Sequence, residues 1–214
     1  MRNFIFLSLA FGILFSCAES KSTTENTTLE GEKYVELRFA EGPLKGVHRF
    51  AKVKGKLLGG VGVHYNDKNE KNPLIQHTFG FSANGLASDA QLKLSYLTIT
   101  AKGGVTKGNH QTVQFNSSNT FDYCVSLALE GTHERMGTFD LLTEKSSCND
   151  LKIEALGPWE EKTIHQTQRV KGLFETEIIL LFRDGQGNDI ERVQTTLNVS
   201  FLADHKILKE KNKS

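Results

Sequence analysis

The sequence predicts an all-β fold, either an antiparallel β-sandwich or two stacked β lobes, within a chain of 214 residues. The first observation is a hydrophobic period of two in Tyr34–Phe39, Leu92–Thr100 and Glu191–Phe201, where apolar and polar side chains alternate. Alternation of this kind is typical of half-buried antiparallel strands. The second observation is the glycine-rich turn Asp184–Asp189 between two strand-like runs, which favours a hairpin. We expect the all-β domain to span residues 34–205.

The N-terminal half of this domain contains a predicted hairpin. One strand is predicted where three apolar side chains share a face: Val61, Val63 and Tyr65. Leu74–Phe81 is expected to return beside it after a polar loop at 66–72. Residues 102–119 contain three glycines and are expected to form a long connection, so a weak division into two halves is predicted near 103–120.

Further strands are predicted in the C-terminal half: Phe121–Leu129, Gly137–Leu142 and Leu151–Leu156. Val170–Phe182 is longer, and its apolar run Ile178–Phe182 fits either a strand buried on both faces or a helix. A strand is favoured because a turn and another alternating run follow it. The three prolines all fall where turns are expected: Pro43, Pro73 and Pro158.

Residues 1–16 have the composition of a secretory signal peptide. Arg2 precedes a largely apolar run from Phe4 to Phe15, and Ser16 is a small residue before a cleavage site. A helix of about 12 residues covers roughly 18 Å, against about 30 Å of bilayer hydrocarbon, so a spanning anchor is not expected.

Leu14-Phe15-Ser16-Cys17 resembles the lipobox of bacterial lipoproteins. The resemblance implies cleavage before Cys17 and fatty acylation of its thiol and new amino group. Phe15 is bulkier than the family's usual residue, which implies slower processing, and Ala18 implies the outer membrane under the enterobacterial sorting rule. The rest of the chain resembles, in general texture, small exported β-sandwich lipoproteins of Bacteroidetes-type bacteria. The alternative is an ordinary cleaved signal with a coincidental cysteine.

The expected contacts of the mature chain follow from its charge. Residues 17–33 lack aromatic side chains and are predicted to form a flexible tether. Cleavage removes Arg2 and leaves 25 of the 26 basic residues against 25 acidic ones. The mature chain is therefore close to neutral and lacks the excess positive charge that is typical of nucleic-acid-binding proteins. The expected partners are the membrane, through the acyl chains, and an unknown envelope protein or glycan. The basic tail at 206–214 is expected to be solvated, with contact to anionic headgroups as the alternative.

Cys124 and Cys148 remain as an even pair in an oxidising compartment, which predicts a disulfide. The bond closes a loop of about 25 residues and contributes roughly 3 kcal/mol. Two buried free thiols are the alternative.

No metal site or cofactor is predicted. His133-Glu134 lacks the second histidine, four residues on, that a zincin helix requires. His64 and His77 flank the predicted loop but fall on opposite strand faces. The other histidines are scattered, with no partner at ligand spacing: His48, His110, His165 and His205.

The turn after Phe182 partly imitates a calcium loop. Asp184, Gln186 and Asn188 occupy ligand positions, but Asp189 replaces the required glycine and Thr195 the closing glutamate. A hairpin turn is favoured, with a looser calcium site as the alternative.

Trp159 is the only tryptophan and the one residue predicted to bind a ligand. Gly157–Trp159 is predicted as a turn that presents the indole outward for stacking. The alternative is a partly buried residue that caps one end of the sandwich. The adjacent Glu160 and Glu161 are the nearest candidates for paired glycosidase carboxylates, although a solvated turn is favoured.

These observations predict a non-catalytic binding or structural lipoprotein of the bacterial outer envelope, with surface and periplasmic locations both open. One alternative is a carbohydrate-active or other hydrolytic lipoprotein, which needs two carboxylates in a cleft. The other is a periplasmic assembly or chaperone-like accessory, which needs an exposed edge or apolar groove near Ile178–Phe182.

Overall fold

The computed structural model describes residues 29–51, 76–82, 92–116 and 122–208. These ranges contain strands, turns and no helix, which confirms the predicted all-β antiparallel fold. The strands are β1 (Tyr34–Phe39), β2 (Gly46–Ala51), β3 (Gln76–Phe81), β4 (Leu92–Lys102), β5 (Gly108–Gln111), β6 (Phe115–Asn116), β7 (Asp122–Tyr123), β8 (Val125–His133), β9 (Gly137–Ser146), β10 (Asp150–Glu161), β11 (His165–Asp184) and β12 (Asp189–Leu208). Within the described residues, no helix is long and apolar enough to cross a membrane.

Several predictions fall on residues outside these ranges and are not decided by the structure. They concern the signal peptide, Cys17, most of the tether, His64, the strand with Val61, Val63 and Tyr65, the loop at 66–72, and residues 209–214.

β1 shows how the period of two builds the core. Val35, Leu37 and Phe39 are buried, whereas Glu36 and Arg38 lie on the opposite face. Since side chains alternate along a strand, one face of β1 packs inward and the other carries charge toward solvent.

β11 confirms the strand interpretation of the apolar run. Ile178, Leu180 and Phe182 are buried on one face of β11, and Leu181 is buried on the other. β11 pairs along its length with β12, which confirms the predicted hairpin at Asp184–Asp189.

Ten strands form one antiparallel sheet in the order β2-β1-β12-β11-β9-β8-β4-β3, with β10 and β5 attached beside β11. β11 is the branch point, since its first half pairs with β10 and its second half with β9. The sheet curls so that Phe79 and Phe81 of β3 lie with ring centroids 4.8 and 5.1 Å from that of Phe201 on β12. Ten of the twelve described strands therefore belong to one curled sheet, and β6 and β7 pair in a second sheet of two strands. Strands on both sides of the predicted division near 103–120 contribute to the hydrophobic core.

Cys124 and Cys148 form the predicted disulfide, with their Cα atoms 5.2 Å apart. The bond joins the start of β8 to the corner between β9 and β10. Ser146 Oγ accepts hydrogen bonds from the backbone N–H groups of Cys124 and Val125, at 2.8 and 3.1 Å. The disulfide corner is the name we give to six residues: Cys124, Val125, Ser146, Ser147, Cys148 and Asn149.

Three strands have no counterpart in the sequence predictions: β2, β5 and β6. β5 lies within the segment 102–119, which the sequence predicts as a connection. The sequence does not indicate this strand, because β5 has no local alternating pattern and forms its hydrogen bonds with the distant β10. β12 also continues to Leu208, three residues into the segment predicted as a basic tail.

Candidate functional site

Trp159 lies in β10, so the prediction of a turn at Gly157–Trp159 is wrong. The pairing of β10 with β11 shifts register between Leu156 and Trp159, and this irregularity accommodates Pro158, which has no N–H to donate. Gln168 Nε2 of β11 donates to Gly157 O at 2.9 Å. The indole is 43 % exposed, and its other side packs on His205, with ring centroids 5.3 Å apart.

Beneath Trp159, the structure brings His77 together with two histidines that were predicted to be scattered, His110 and His205. His77 of β3 and His110 of β5 contact edge to face, with centroids 5.0 Å apart, and His77 also lowers the pKa of His205 of β12 by electrostatic repulsion. Their side chains are 1 %, 9 % and 4 % exposed, respectively. We call these three residues the histidine cluster. The curl of the sheet, rather than sequence spacing, brings them together.

Hydrogen bonds assign the protons of two of these imidazoles. His77 Nδ1 lies 2.9 Å from Gly103 O, and His110 Nε2 lies 2.7 Å from Thr106 O. A carbonyl oxygen can only accept, so these nitrogens carry the hydrogens and the other nitrogen of each neutral ring keeps a lone pair. His77 Nε2 and His205 Nδ1 are buried and have no hydrogen-bond partner.

Burial disfavours the charged forms of two members of the cluster, His77 and His205. Desolvation lowers the pKa of His77, the bond to Gly103 partly opposes this effect, and the nearby His110 lowers the pKa further. Desolvation, followed by repulsion from His77, lowers the pKa of His205 to about 4. Among the described residues, no three histidine, cysteine or carboxylate side chains are arranged to hold a metal ion. The cluster is therefore a buried polar region, partly covered by Trp159.

A second candidate site is an open groove of about 510 Å³ on the outer face of the sheet, across β1, β12, β11 and β10. Five charged side chains line it: Glu36, Arg38, Asp150, Lys152 and Glu175. Asn198 and Ser200 add hydrogen-bonding groups, and Leu173 contributes apolar surface.

Two of the five charged side chains that line the groove lie near an oppositely charged group, and the other three are available to bind a ligand. Glu36 lies 3.9 Å from Arg49, and Lys152 lies 3.6 Å from Glu154. Within the described part of the chain, three other lining side chains form no ion pair: Arg38, Asp150 and Glu175. Such groups can bind a ligand without first breaking an existing salt bridge.

The other predicted sites are engaged in local structure. Asp184 Oδ1 accepts from the N–H groups of Gln186 and Asn188, both at 2.9 Å, so its carboxylate stabilises the hairpin turn. Hydrogen bonds from Asn188 and Gln186 accordingly lower the pKa of Asp184. His133 ends β8, where its Nδ1 accepts from Arg135 N at 3.2 Å, and Glu160 lies in β10 and pairs with Lys162 at 2.9 Å.

No family model matches this chain, and no curated protein or solved structure matches it either. The function of this chain therefore has to be inferred from the chemistry of its own residues.

Proposed function

We propose that this chain is a lipid-anchored, non-catalytic binding protein of the bacterial outer envelope. The observation that carries the proposal is the outer groove. Charged side chains of both signs, which form no ion pair within the described part of the chain, surround a small apolar surface there. The lipobox-like sequence ending at Cys17 supports the anchor and the envelope location. The disulfide between Cys124 and Cys148 is consistent with an oxidising, extracytoplasmic compartment.

The groove's chemistry favours a polar ligand rich in hydroxyl groups, and we propose an envelope glycan. Carboxylates such as Asp150 and Glu175 accept hydrogen bonds from neighbouring hydroxyls, and Arg38 donates several in a fixed planar geometry. Leu173 offers apolar surface to the C–H face of a sugar ring. Since these charges are exposed, their removal is expected to weaken binding without unfolding the domain.

A binding assay tests the role of the groove. The mature protein in detergent is applied to immobilised peptidoglycan fragments and to an array of bacterial oligosaccharides. We expect the Arg38→Ala/Glu175→Ala variant to lose binding at least tenfold. The matched control is Lys93→Ala/Glu130→Ala, which removes an exposed ion pair of 2.9 Å between β4 and β8, outside the groove. Equal binding by both variants would contradict the proposal.

Protease treatment of intact cells tests the location. Digestion of the domain, while a periplasmic control protein survives, would place the groove on the cell surface and favour external glycans. Protection until the envelope is opened would place it in the periplasm and favour envelope partners, including proteins.

A hydrolytic function is the second candidate, because three carboxylates line the same groove: Glu36, Asp150 and Glu175. Paired carboxylates are the catalytic groups of most glycosidases. Shorter products from an oligosaccharide, lost in Asp150→Asn, would support hydrolysis over simple binding. The assembly accessory stays a further alternative with less support, since four of the five residues of Ile178–Phe182 are buried and only Ile179 is partly exposed.

A further inference from the structure

One end of the molecule brings together the N-terminal entry of the chain, the β10–β11 hairpin and the end of β12. His165, at the start of β11, pairs with Leu208, the last residue of β12. β1 runs antiparallel to β12 with Tyr34 opposite Leu202, so the residues that precede Tyr34 lie toward this same end. We call it the tether end.

The entering chain is fastened to the outer face at the tether end. Arg169 Nη1 donates to Gly31 O at 2.7 Å, and Asp204 forms ion pairs with both Lys33 and Arg169. The last residues of the predicted tether are therefore held against β11 and β12. The position at which the chain leaves the domain is consequently defined at Gly31.

The tether end also exposes apolar side chains. Ile164, in the β10–β11 hairpin, is 67 % exposed, the highest value among the exposed large hydrophobic residues of the described chain. Trp159, near the same hairpin, is 43 % exposed. The remaining exposed large hydrophobic residues lie on separate strands: Val47, Tyr96 and Ile190.

We propose that the tether end rests on the lipid surface, with Ile164 and the exposed side of Trp159 inserted at the boundary between headgroups and acyl chains. This inference rests on the proposed acylation of Cys17. A flexible tether over residues 18–30, as the sequence predicts, would have a mean span of roughly 20 Å for its about 13 residues. Ile164 lies about five strand residues, or roughly 16 Å, beyond Arg169. The tether is thus short enough to keep the hairpin near the bilayer, where tryptophan is favoured.

The charges of the β10–β11 hairpin indicate whether electrostatic attraction or apolar insertion would hold it at the lipid surface. The segment from Glu160 to Lys162 carries two acidic residues and one lysine. Lys162 pairs with Glu160 at 2.9 Å, and Gln166 donates to Glu161. Attraction to anionic lipids is therefore not expected from the hairpin. Apolar insertion predicts binding to zwitterionic vesicles with little dependence on salt.

Fluorescence of Trp159 tests this contact, because the chain has no other tryptophan. The full mature protein is reconstituted into phosphatidylcholine vesicles with and without brominated acyl chains, and its acyl groups are counted by intact mass. We expect bromolipids to reduce Trp159 emission at least twofold, at both low and high salt. Ile164→Asp should abolish this quenching, whereas the matched control Ile190→Asp, beside the distant β11–β12 turn, should retain it.

The outcomes separate the two proposals. A chain without acyl groups would overturn the anchor and, with it, this membrane contact. An acylated chain whose Trp159 is not quenched, or is quenched equally in Ile164→Asp, would overturn the contact alone and leave the anchor and groove in place. Quenching that disappears at high salt would also overturn it, since an electrostatic contact would then be responsible. Thermal melting of each variant checks that its fold is intact.

Discussion

Two polar regions, the partly exposed disulfide corner and the buried histidine cluster, differ in how their polar atoms are satisfied by hydrogen bonds. In the corner, Ser146 Oγ accepts two backbone hydrogen bonds, Thr176 Oγ1 donates to Ser147 O at 2.8 Å, and Thr112 Oγ1 donates to Asn149 O at 2.6 Å. In the cluster, by contrast, His77 Nε2 and His205 Nδ1 are buried without partners.

Because of this difference, we expect the disulfide corner to fix the local geometry of the fold and the histidine cluster to respond to pH. Hydroxyl and backbone groups do not titrate near pH 7, so the corner should stabilise the fold at any moderate pH. Imidazoles protonate in this range, and burying the charged form is costly. The contribution of the cluster to stability should therefore depend on pH, whereas that of the corner should not.

Removal of the disulfide should have the largest effect and should not depend on pH. Cys124→Ser/Cys148→Ser opens a loop whose ends are 24 residues apart, so the free energy of unfolding should fall by about 3 kcal/mol. Urea denaturation at pH 7.5 and pH 5 measures the loss. A loss below about 1 kcal/mol would show that the corner's hydrogen bonds suffice without the bond.

Acid should lower the free energy of unfolding by a similar amount through the histidine cluster. His205 has a folded-state pKa of about 4, lowered from 6.5, so between these values the unfolded chain binds a proton that the folded chain does not. Stability is fully present above pH 6.5 and falls by about 3 kcal/mol as the pH approaches 4. The lowered pKa of His77 acts in the same direction.

Urea denaturation between pH 7.5 and 4 measures this slope in the wild type and in two variants. His205→Gln should flatten the slope, whereas His133→Gln, at the end of β8 and outside the cluster, should leave it unchanged. The same slope in all three proteins would contradict the assignment.

Loss of Ser146 Oγ should have an intermediate effect. Ser146→Ala leaves the buried N–H groups of Cys124 and Val125 without their acceptor, at an expected cost of about 1–3 kcal/mol. Thermal and urea unfolding measure it at two pH values. The control is Ser126→Ala on β8, which is half-buried and should be nearly neutral.

The outer groove should show the smallest effect on stability. Arg38 is exposed and forms no ion pair within the described residues, so Arg38→Ala should change the free energy of unfolding by less than about 0.5 kcal/mol. Thermal melting measures the change. A larger loss would assign Arg38 a structural role and weaken its assignment to ligand binding.

The sequence alone determined the features that depend on neighbouring residues. Alternation predicted β1 within its observed bounds, Tyr34–Phe39, and turn chemistry predicted the hairpin at Asp184–Asp189. The cysteine count predicted the disulfide. Local propensity was misleading at Pro158, since a proline is compatible with a strand where the ladder is irregular.

Only the tertiary structure determined the candidate sites. His77, His110 and His205 belong to β3, β5 and β12, and the groove combines side chains from four strands. β5 could not be predicted because Gly108–Gln111 has no alternating pattern and gains its hydrogen bonds from β10. The face on which a side chain lies follows from strand periodicity, which local sequence carries. Which distant strands become neighbours depends on long-range pairing and on the curl of the sheet around its core, and these bring the histidines beneath Trp159.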